Sequence, residues 1–296
     1  MVRALITGSR GFVGRHLAHH LASCGDEVAE LPEGLDLRER SEVLDLFGAI
    51  EFDVCYHLAA ISHVGLSWEN PYLVYENNVL GTANVVEGLS RCNRSARLVF
   101  ISSSEVYGRV QAGDLPVTED ARLMPATPYA ASKAAGEQIA LQAYFGSGVP
   151  VVVARSFNHT GIGQPADFVV PGIVSRLVAA KRSGERTLRV GNVESRRDFS
   201  DVRDVVRAYR LIGEEGRPGE AYNVASGTSL AISEIIEMAA SIVGVEVDLE
   251  VDPGLLRPSD VPEIVGSIEK IAADTGYQPS FAFRDTLAGM VRHSQE

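Results

Sequence analysis

The sequence is poor in cysteine, has no excess of positive charge and contains no long apolar segment. Its 296 residues include three cysteines, Cys24, Cys55 and Cys92, whose spacing matches no metal site and which leave one thiol unpaired, as in a reducing cytoplasm. Lysine and arginine number 27 against 39 acidic residues, which excludes a generally basic nucleic-acid-binding surface. No run is long enough to span a bilayer and no secretory segment follows Met1. We therefore predict a cytoplasmic protein with no nucleic-acid, membrane or metal partner.

Strand-like apolar runs and amphipathic helical segments alternate along the first half of the sequence. Apolar runs separated by helices indicate a parallel, doubly wound α/β sheet. After Ser156 the pattern is less regular, which predicts a smaller C-terminal α/β lobe. The predicted strands are 4–7, 27–31, 54–59, 97–103, 149–156 and 222–225, and the predicted helices are 14–23, 78–92, 129–145, 168–180 and 232–243. We predict a nucleotide-binding unit of 1–155 plus roughly 195–225, and a substrate-binding lobe of 156–194 and 226–296.

A glycine-rich loop lies between the first predicted strand and the first predicted helix. The spacing Gly8-x-x-Gly11-x-x-Gly14 allows a tight turn and places a diphosphate at a helix N-terminus. This predicts a Rossmann-type dinucleotide site. Its contacts would come from Gly8, Arg10, Gly11, Phe12, Val13 and Gly14. Arg10 offers a contact for a 2′-phosphate, Glu30 is a candidate for the ribose, and Asp36 suits the adenine better, so NAD and NADP both stay open.

Tyr129 and Lys133 stand four residues apart at the start of a predicted helix, a spacing that puts both side chains on one face. A nearby ammonium favours the phenolate, so we expect Lys133 to lower the pKa of Tyr129 towards the working pH. Such a phenol suits a proton donor or acceptor that accompanies hydride transfer.

Five motifs occur in an order that resembles the extended short-chain dehydrogenase/reductase family of nucleotide-sugar epimerases, dehydratases and reductases. They are the glycine loop, His57-Leu58-Ala59-Ala60, Asn78-Val79-Leu80-Gly81-Thr82, Ser102-Ser103-Ser104-Glu105-Val106-Tyr107-Gly108 and Tyr129-x-x-x-Lys133. The resemblance implies an NAD(P)-dependent enzyme with further cofactor contacts at Asp36, Leu37, Leu58, Ala59, Ala60, Asn78, Ser102, Tyr129 and Lys133. It also implies a homodimer in which helices 78–92 and 129–145 form a four-helix bundle, through Ala134, Ile139 and Leu141.

Later segments resemble, within that family, the reductases of GDP-4-keto-6-deoxy-mannose. These segments are 155–164, which contains Asn158-His159-x-Gly161-x-Gly163-Gln164, 191–204 and 255–262. The resemblance implies that Arg197 and Arg257 bind the diphosphate of a GDP-sugar, because guanidinium forks match phosphate oxygens. The substrate contacts that it implies are Ser104, Glu105, Asn158, Val169, Arg197, Arg257 and Asp260.

The resemblance also implies a division of catalytic work. Tyr129 would donate a proton to the C4 oxygen of a keto-sugar while the nicotinamide delivers hydride. Ser103 would hydrogen-bond that oxygen, and Lys133 would hold the nicotinamide ribose. Glu105 admits two functions: it can bind a substrate hydroxyl, or remove the C5 proton as the base of a 4,6-dehydratase.

The first hypothesis is therefore reduction of a GDP-4-keto-6-deoxy-hexose to a GDP-rhamnose-type product. A 4,6-dehydratase is the second, because Ser62-His63-Val64 is similar to the GDP-mannose dehydratases. A C4 epimerase would use the same Tyr129 and Lys133. A non-catalytic nucleotide sensor is the fourth alternative, and the intact Tyr129, Lys133 and Ser103 argue against it.

Overall fold

The protein is described by a computed structural model over residues 1–29, 31–32, 34–255 and 261–295. The strands of these residues are β1 Arg3–Thr7, β2 Glu27–Ala29, β3 Val54–His57, β4 Arg97–Ser103, β5 Val151–Ser156, β6 Asn158–Thr160, β7 Thr187–Val190, β8 Arg196–Asp201, β9 Ala221–Val224, β10 Ser229–Ala231, β11 Asp248–Val251 and β12 Glu263–Ile264. The α-helices are α1 Phe12–Ser23, α2 Arg40–Ala49, α3 Val64–Glu69, α4 Pro71–Tyr75, α5 Gly81–Cys92, α6 Pro128–Ser147, α7 Val169–Ser183, α8 Val202–Glu215, α9 Ile232–Val243, α10 Glu269–Thr275 and α11 Phe283–Gln295.

A parallel sheet in the order β2-β1-β3-β4-β5-β9 forms the centre of the described chain. Its central strands are buried along nearly their whole length, because helices cover both faces, and such strands are apolar throughout rather than alternating. The register pairs Thr7 with His57 and Ser103 with Ser156, which brings the carboxyl ends of four strands to one edge. The strand order reverses between β1 and β3, and ligands of such sheets bind in the crevice at that point.

The two faces of the sheet carry separate apolar cores. On one face, α1 and α8 pack through residues such as Leu17 and Val205. On the other face, α2, α5 and α6 pack through residues such as Phe47, Val85 and Ala140. Both clusters include side chains of the central strands, so each helix layer is fixed directly against the strands that end at the crevice.

A second group of elements forms a smaller layer beside the sheet. The helices α7, α9 and α11 share an apolar core, and β8 pairs with β6, β10 and β12. The buried Asp198 ties β8 to two loops, because its carboxylate accepts hydrogen bonds from Ser226 and from the backbone N–H groups of Gly227 and Gly266. The chain leaves the main sheet at Ser156 and enters the smaller one at Asn158. This crossing therefore lies at the crevice.

The predicted fold class, a Rossmann-type doubly wound sheet with a smaller C-terminal α/β lobe, is confirmed. The strand β4 and the helix α9 have the predicted bounds. The predicted strand 54–59 ends at His57 instead, because the chain beyond it turns to line the crevice. The predicted helix 78–92 begins earlier, at Pro71, and passes through a π-helical stretch, Glu76–Leu80, before α5.

The division into two units at residue 155 stays a prediction. Within the predicted return segment 195–225, α8 packs on the large sheet and β9 is one of its strands. In contrast, β8 belongs to the smaller sheet. Among the described residues, no helix is both long and apolar enough to cross a membrane.

Candidate active site

The glycine-rich loop makes a tight turn between β1 and α1. Gly8 has a φ of 77°, and a Cβ there would lie 2.9 Å from the Ala59 nitrogen. A Cβ on Gly14 would lie 2.1 Å from the Gly8 carbonyl oxygen, so both positions require glycine. The first turn of α1 contains no acidic residue. Its N-terminus therefore favours an anion such as a diphosphate.

A chain of buried hydrogen bonds fixes the strand ends beneath this loop. The Thr82 hydroxyl donates to the Asn78 carbonyl oxygen at 2.6 Å, so it accepts from His57 Nε2, 3.0 Å away. The other ring nitrogen, Nδ1, then accepts from the Thr7 hydroxyl at 2.7 Å. Burial, with the Lys133 charge, lowers the pKa of His57 to about 3. His57 is therefore a neutral link between β1, β3 and α5.

The backbone carbonyl of Asn78 belongs to this network, but its side-chain amide has other partners. Its oxygen accepts from the Ile61 N–H at 2.8 Å, and its nitrogen donates to the Ile61 oxygen and to Ser132 Oγ. Asn78 therefore joins the loop after β3 to α6. It does not line the cavity described below.

Tyr129, Ser103 and Lys133 meet at the carboxyl end of β4. Tyr129 follows Pro128 at the start of α6, whose N-terminus is capped by the Thr127 hydroxyl accepting from the Ala130 N–H. The Tyr129 phenol is hydrogen-bonded to the Ser103 hydroxyl. Lys133 lies one turn further on, and its Nζ donates to the Ile101 carbonyl oxygen at 2.8 Å. The predicted grouping of these three side chains is present.

The predicted effect of Lys133 on Tyr129 is wrong. Burial raises the pKa of Tyr129 to about 12, the Ser103 hydrogen bond opposes this rise, and the Glu105 charge adds to it. Burial also lowers the pKa of Lys133 to about 8, against the attraction of Glu137. Lys133 is not among the groups that shift the pKa of the phenol, and its ammonium donates to the Ile101 carbonyl oxygen. At neutral pH, Tyr129 is therefore a protonated phenol, suited to donate a proton.

One cavity of about 400 Å³ joins the glycine loop to these side chains. Its wall contains most of the predicted site residues. They are Gly8, Gly11, Phe12, Val13, Gly14, Leu58, Ala59, Ala60, Ser102, Ser103, Glu105, Tyr129, Lys133, Asn158 and Val169. The cavity thus runs from the dinucleotide loop, past the phenol, to the smaller layer.

The far wall includes residues that the sequence prediction gave no substrate or cofactor function. Ser156, Gln164, Asp167, Phe168 and Tyr209 line the cavity. Gln164 ends the reductase-like segment 155–164, and its amide donates to the His159 carbonyl oxygen. Tyr209 was detectable from the apolar spacing of α8, which places it on the face that packs on the sheet.

His63, from the dehydratase-like tripeptide Ser62-His63-Val64, lies at the mouth of the same cavity. Its Nε2 is 4.0 Å from Asp167 Oδ2, and its ring contacts that of Phe168 edge-on, with the centroids 6.2 Å apart. The loop after β3 and the segment before α7 therefore meet across the mouth.

Several predicted contacts lie away from the cavity wall. Arg10 is exposed on the loop. Asp36, beside Leu37, accepts hydrogen bonds from Arg38, which lower the pKa of its carboxyl. Ser104 is buried in the turn after β4. Arg197 donates to the Arg196 carbonyl oxygen on β8.

The two remaining predicted substrate contacts, Arg257 and Asp260, lie outside the described residues, as does Glu30. No cluster of three or more histidine, cysteine, aspartate or glutamate side chains that could hold a metal occurs in the described ranges.

Known proteins and one family model match this chain over most or nearly all of its length. The family model described as GDP-mannose 4,6 dehydratase matches residues 32–290. The chain is 35% identical over 292 residues to GDP-6-deoxy-D-mannose reductase of Pseudomonas aeruginosa, covering 98% of this chain and 96% of that one. It is 30% identical to a dTDP-glucose 4,6-dehydratase of Streptomyces antibioticus, covering 96% and 90%. The structure of RMD from Pseudomonas aeruginosa complexed with NADPH superposes with a TM-score of 0.92 at 34% identity, covering 100% and 99%.

Proposed function

Because the chain belongs to the GDP-mannose 4,6-dehydratase family of extended short-chain dehydrogenases/reductases, we propose that it reduces the 4-keto group of a GDP-4-keto-6-deoxy-hexose with NADPH or NADH. The observation that carries the proposal is that one cavity contains the glycine loop, the Ser103–Tyr129 pair and Asn158. The similarity to GDP-6-deoxy-D-mannose reductase supports a 6-deoxy sugar and a guanine nucleotide as the two parts of the substrate.

The residues fit a nicotinamide dinucleotide. Gly8, Gly11 and Gly14 allow a diphosphate to approach the acid-free N-terminus of α1, where a Cβ on either outer glycine would clash with backbone. Arg10 and Asp36 would contact the adenosine end, and Lys133 would donate to the nicotinamide ribose. When bound, the cofactor supplies the hydride. The NADPH in the RMD structure makes NADPH the first cofactor to test.

Tyr129 would deliver the proton that accompanies reduction. Ser103 Oγ accepts from the Glu105 N–H at 3.2 Å, so its own hydrogen can point to the phenol oxygen. The phenol proton then stays available for the substrate oxygen. The raised pKa keeps this proton in place until negative charge develops on that oxygen.

The diphosphate-sugar end would lie towards the smaller layer. Asn158 and Val169 line the cavity there, and Arg197 is the described guanidinium that we assign to the diphosphate. Arg257 and Asp260 complete this proposed set from outside the described residues. Ser104, buried behind the wall, would support the turn that carries Glu105.

A 4,6-dehydratase is the second candidate. The observation in its favour is that Glu105 lines the cavity beside Tyr129, where a base for the C5 proton is needed. The relatives also include dehydratases of dTDP-glucose and GDP-mannose. In the reductase, Glu105 would instead bind a hydroxyl of the sugar.

One pair of incubations separates the two candidates. With GDP-4-keto-6-deoxy-mannose and NADPH, a reductase consumes the nicotinamide absorbance stoichiometrically and forms a GDP-6-deoxyhexose, whereas NADH tests the cofactor choice. With GDP-mannose and no added cofactor, a dehydratase forms a keto-sugar. Keto-sugar formation without oxidation of either reduced cofactor would overturn the reductase assignment.

We also propose a cytoplasmic homodimer formed through the helices beside the sheet. The free thiols Cys24, Cys55 and Cys92 support a reducing compartment. Of the predicted contact residues, Ile139 and Leu141 pack largely on the core of their own chain, and Ala134 is half-buried. The exposed apolar side chains on the helices that pack against α6, and on α6 itself, include Trp68, Tyr72, Tyr75, Leu80 and Phe145.

The double variant Leu80→Asp, Phe145→Asp is expected to convert this dimer into a folded monomer, because two charges would have to be buried in the contact. Sedimentation velocity at micromolar concentration measures the change. Val251→Asp on β11, at a site about as exposed as Leu80, is the control and should leave the mass unchanged. A wild-type protein that sediments as a monomer would refute the dimer.

A further inference from the structure

A buried carboxylate that the proposed reaction does not use lies directly behind the catalytic side chains. Glu137 is 0% exposed and stands one helical turn after Lys133 on α6. Its Oε1 accepts from the Ser102 hydroxyl at 2.5 Å. Both of its oxygens accept from Arg155 on β5, at 3.1 Å from Nε and 3.0 Å from Nη2.

The partners of Glu137 are neighbours in the sheet. Ser102 on β4 pairs in register with Arg155 on β5, so one carboxylate from α6 holds two adjacent strands at their carboxyl ends. The next residue on β4 is Ser103, and the residues after Arg155 are Ser156, Phe157 and Asn158, which line the cavity. Glu137 thereby fixes both strand ends relative to the helix that carries Tyr129 and Lys133.

Arg155 extends this network to the turn that carries Glu105. Its Nη1 donates to the Tyr107 hydroxyl oxygen at 3.1 Å and to the Glu119 carbonyl oxygen at 2.8 Å. The Tyr107 hydroxyl in turn donates to Asn223 Oδ1 on β9. A buried ion pair of this kind contributes little net stability compared with apolar packing. Its presence at the active site therefore calls for a functional reason.

The charge of Glu137 also acts on Lys133. Lys133 is 5% exposed, and burial disfavours its ammonium while Glu137 favours it. Other titratable groups act less on this ammonium: His57 on β3 and Tyr129 on α6 are uncharged at neutral pH. Glu105 lines the cavity and its charge acts on the Tyr129 phenol, and Arg155 is paired with Glu137.

We propose that Glu137 is a positioning residue of the reductase, which keeps Lys133 in its ammonium form and sets the strand end that carries Ser103. The inference rests on the proposed function for its catalytic meaning, because only a nicotinamide enzyme needs Lys133 to donate to a ribose. The effect of Glu137 on the protonation of Lys133 does not depend on that function.

The chain offers a direct measurement, since it contains only three lysines, Lys133, Lys181 and Lys270. In protein labelled with ¹³C at the lysine ε-carbon, each lysine gives one resonance whose shift reports deprotonation, and Lys133→Met assigns one of them. The ammonium of Lys133 is lost as the pH rises through about 8. Glu137→Gln removes the attraction while keeping an oxygen that accepts, so the Lys133 midpoint should fall by about one pH unit.

Two variants separate charge from shape. Glu137→Asp keeps the charge and should leave the Lys133 midpoint near that of the wild type, although its shorter reach loosens Ser102. Glu87→Gln, which removes an acid of an exposed ion pair with Arg40, should change neither the midpoint nor the activity. If Glu137→Gln does not fold, Glu137→Gln with Arg155→Met leaves no unpaired buried charge, and a smaller fall of the Lys133 midpoint is expected because a buried cation is removed with the anion.

Activity supplies the second measurement. The high-pH limb of NADPH oxidation should move to lower pH in Glu137→Gln, with a loss of about fivefold at pH 8 and a smaller loss at pH 6. An unmoved Lys133 midpoint in a folded Glu137→Gln protein, or equal losses at both pH values, overturns the proposal. Absence of reductase activity in the wild type would refute the proposed function instead, and the lysine titration would still test the effect of Glu137 on Lys133.

Discussion

Tyr129→Phe is expected to lower kcat for reduction of GDP-4-keto-6-deoxy-mannose by about 10²- to 10⁴-fold, while NADPH still binds with nearly the wild-type Kd. The phenol is the acid hydrogen-bonded to Ser103 at the end of β4, and its raised pKa keeps it protonated at neutral pH. Without it, the alkoxide that forms at C4 has no donor in the cavity wall at that point. Absorbance at the nicotinamide band measures turnover, and nicotinamide fluorescence measures binding.

A matched control lies on the same helix. Tyr144→Phe makes the same chemical change on α6, where Tyr144 packs against the apolar core beneath the sheet and does not line the cavity. It should retain turnover within about twofold. If Tyr129→Phe kept more than a tenth of wild-type turnover, the phenol would not be the proton donor.

The pKa of Tyr129 depends on features of the fold that the sequence does not reveal. The spacing of Tyr129 and Lys133 correctly placed both side chains on one helix face, because helical geometry is local. The direction of the pKa shift was wrong, because it depends on how deeply α6 and β4 bury the phenol and on where Lys133 points. Neither fact can be read from residues 128–133.

Glu137 and α8 illustrate two different reasons for a missed feature. The partner of Glu137 is Arg155, 18 residues away on another element, and no local pattern marks a pairing of that kind. By contrast, α8 carries apolar residues at Val202, Val205, Val206 and Tyr209 behind the N-cap Asp201. That is an ordinary amphipathic signal, and it was detectable from the sequence.

The glycine loop is predicted from its spacing and from its place between a predicted strand and a predicted helix, and the structure adds the reason why substitution there is not tolerated. A Cβ at position 14 would lie 2.1 Å from the Gly8 oxygen, 2.7 Å from Ser9 Cα and 2.9 Å from the Gly8 carbonyl carbon. All three are backbone atoms, so no side-chain rotation relieves the contact. The loop must move away from α1, and the diphosphate loses the helix N-terminus with it.

Gly14→Ala is therefore expected to weaken NADPH binding by about 10- to 100-fold, in proportion to an overpacking cost of about 1–3 kcal/mol, and to lower Tm. The effects should be graded by the space at each glycine. Gly11→Ala, whose Cβ would meet only the Gly8 oxygen at 3.2 Å, should lose less. Gly113→Ala, with nothing within 4 Å, should match the wild type. Fluorescence titration and thermal unfolding measure both quantities, and wild-type NADPH affinity in Gly14→Ala would show that the loop does not cradle the cofactor.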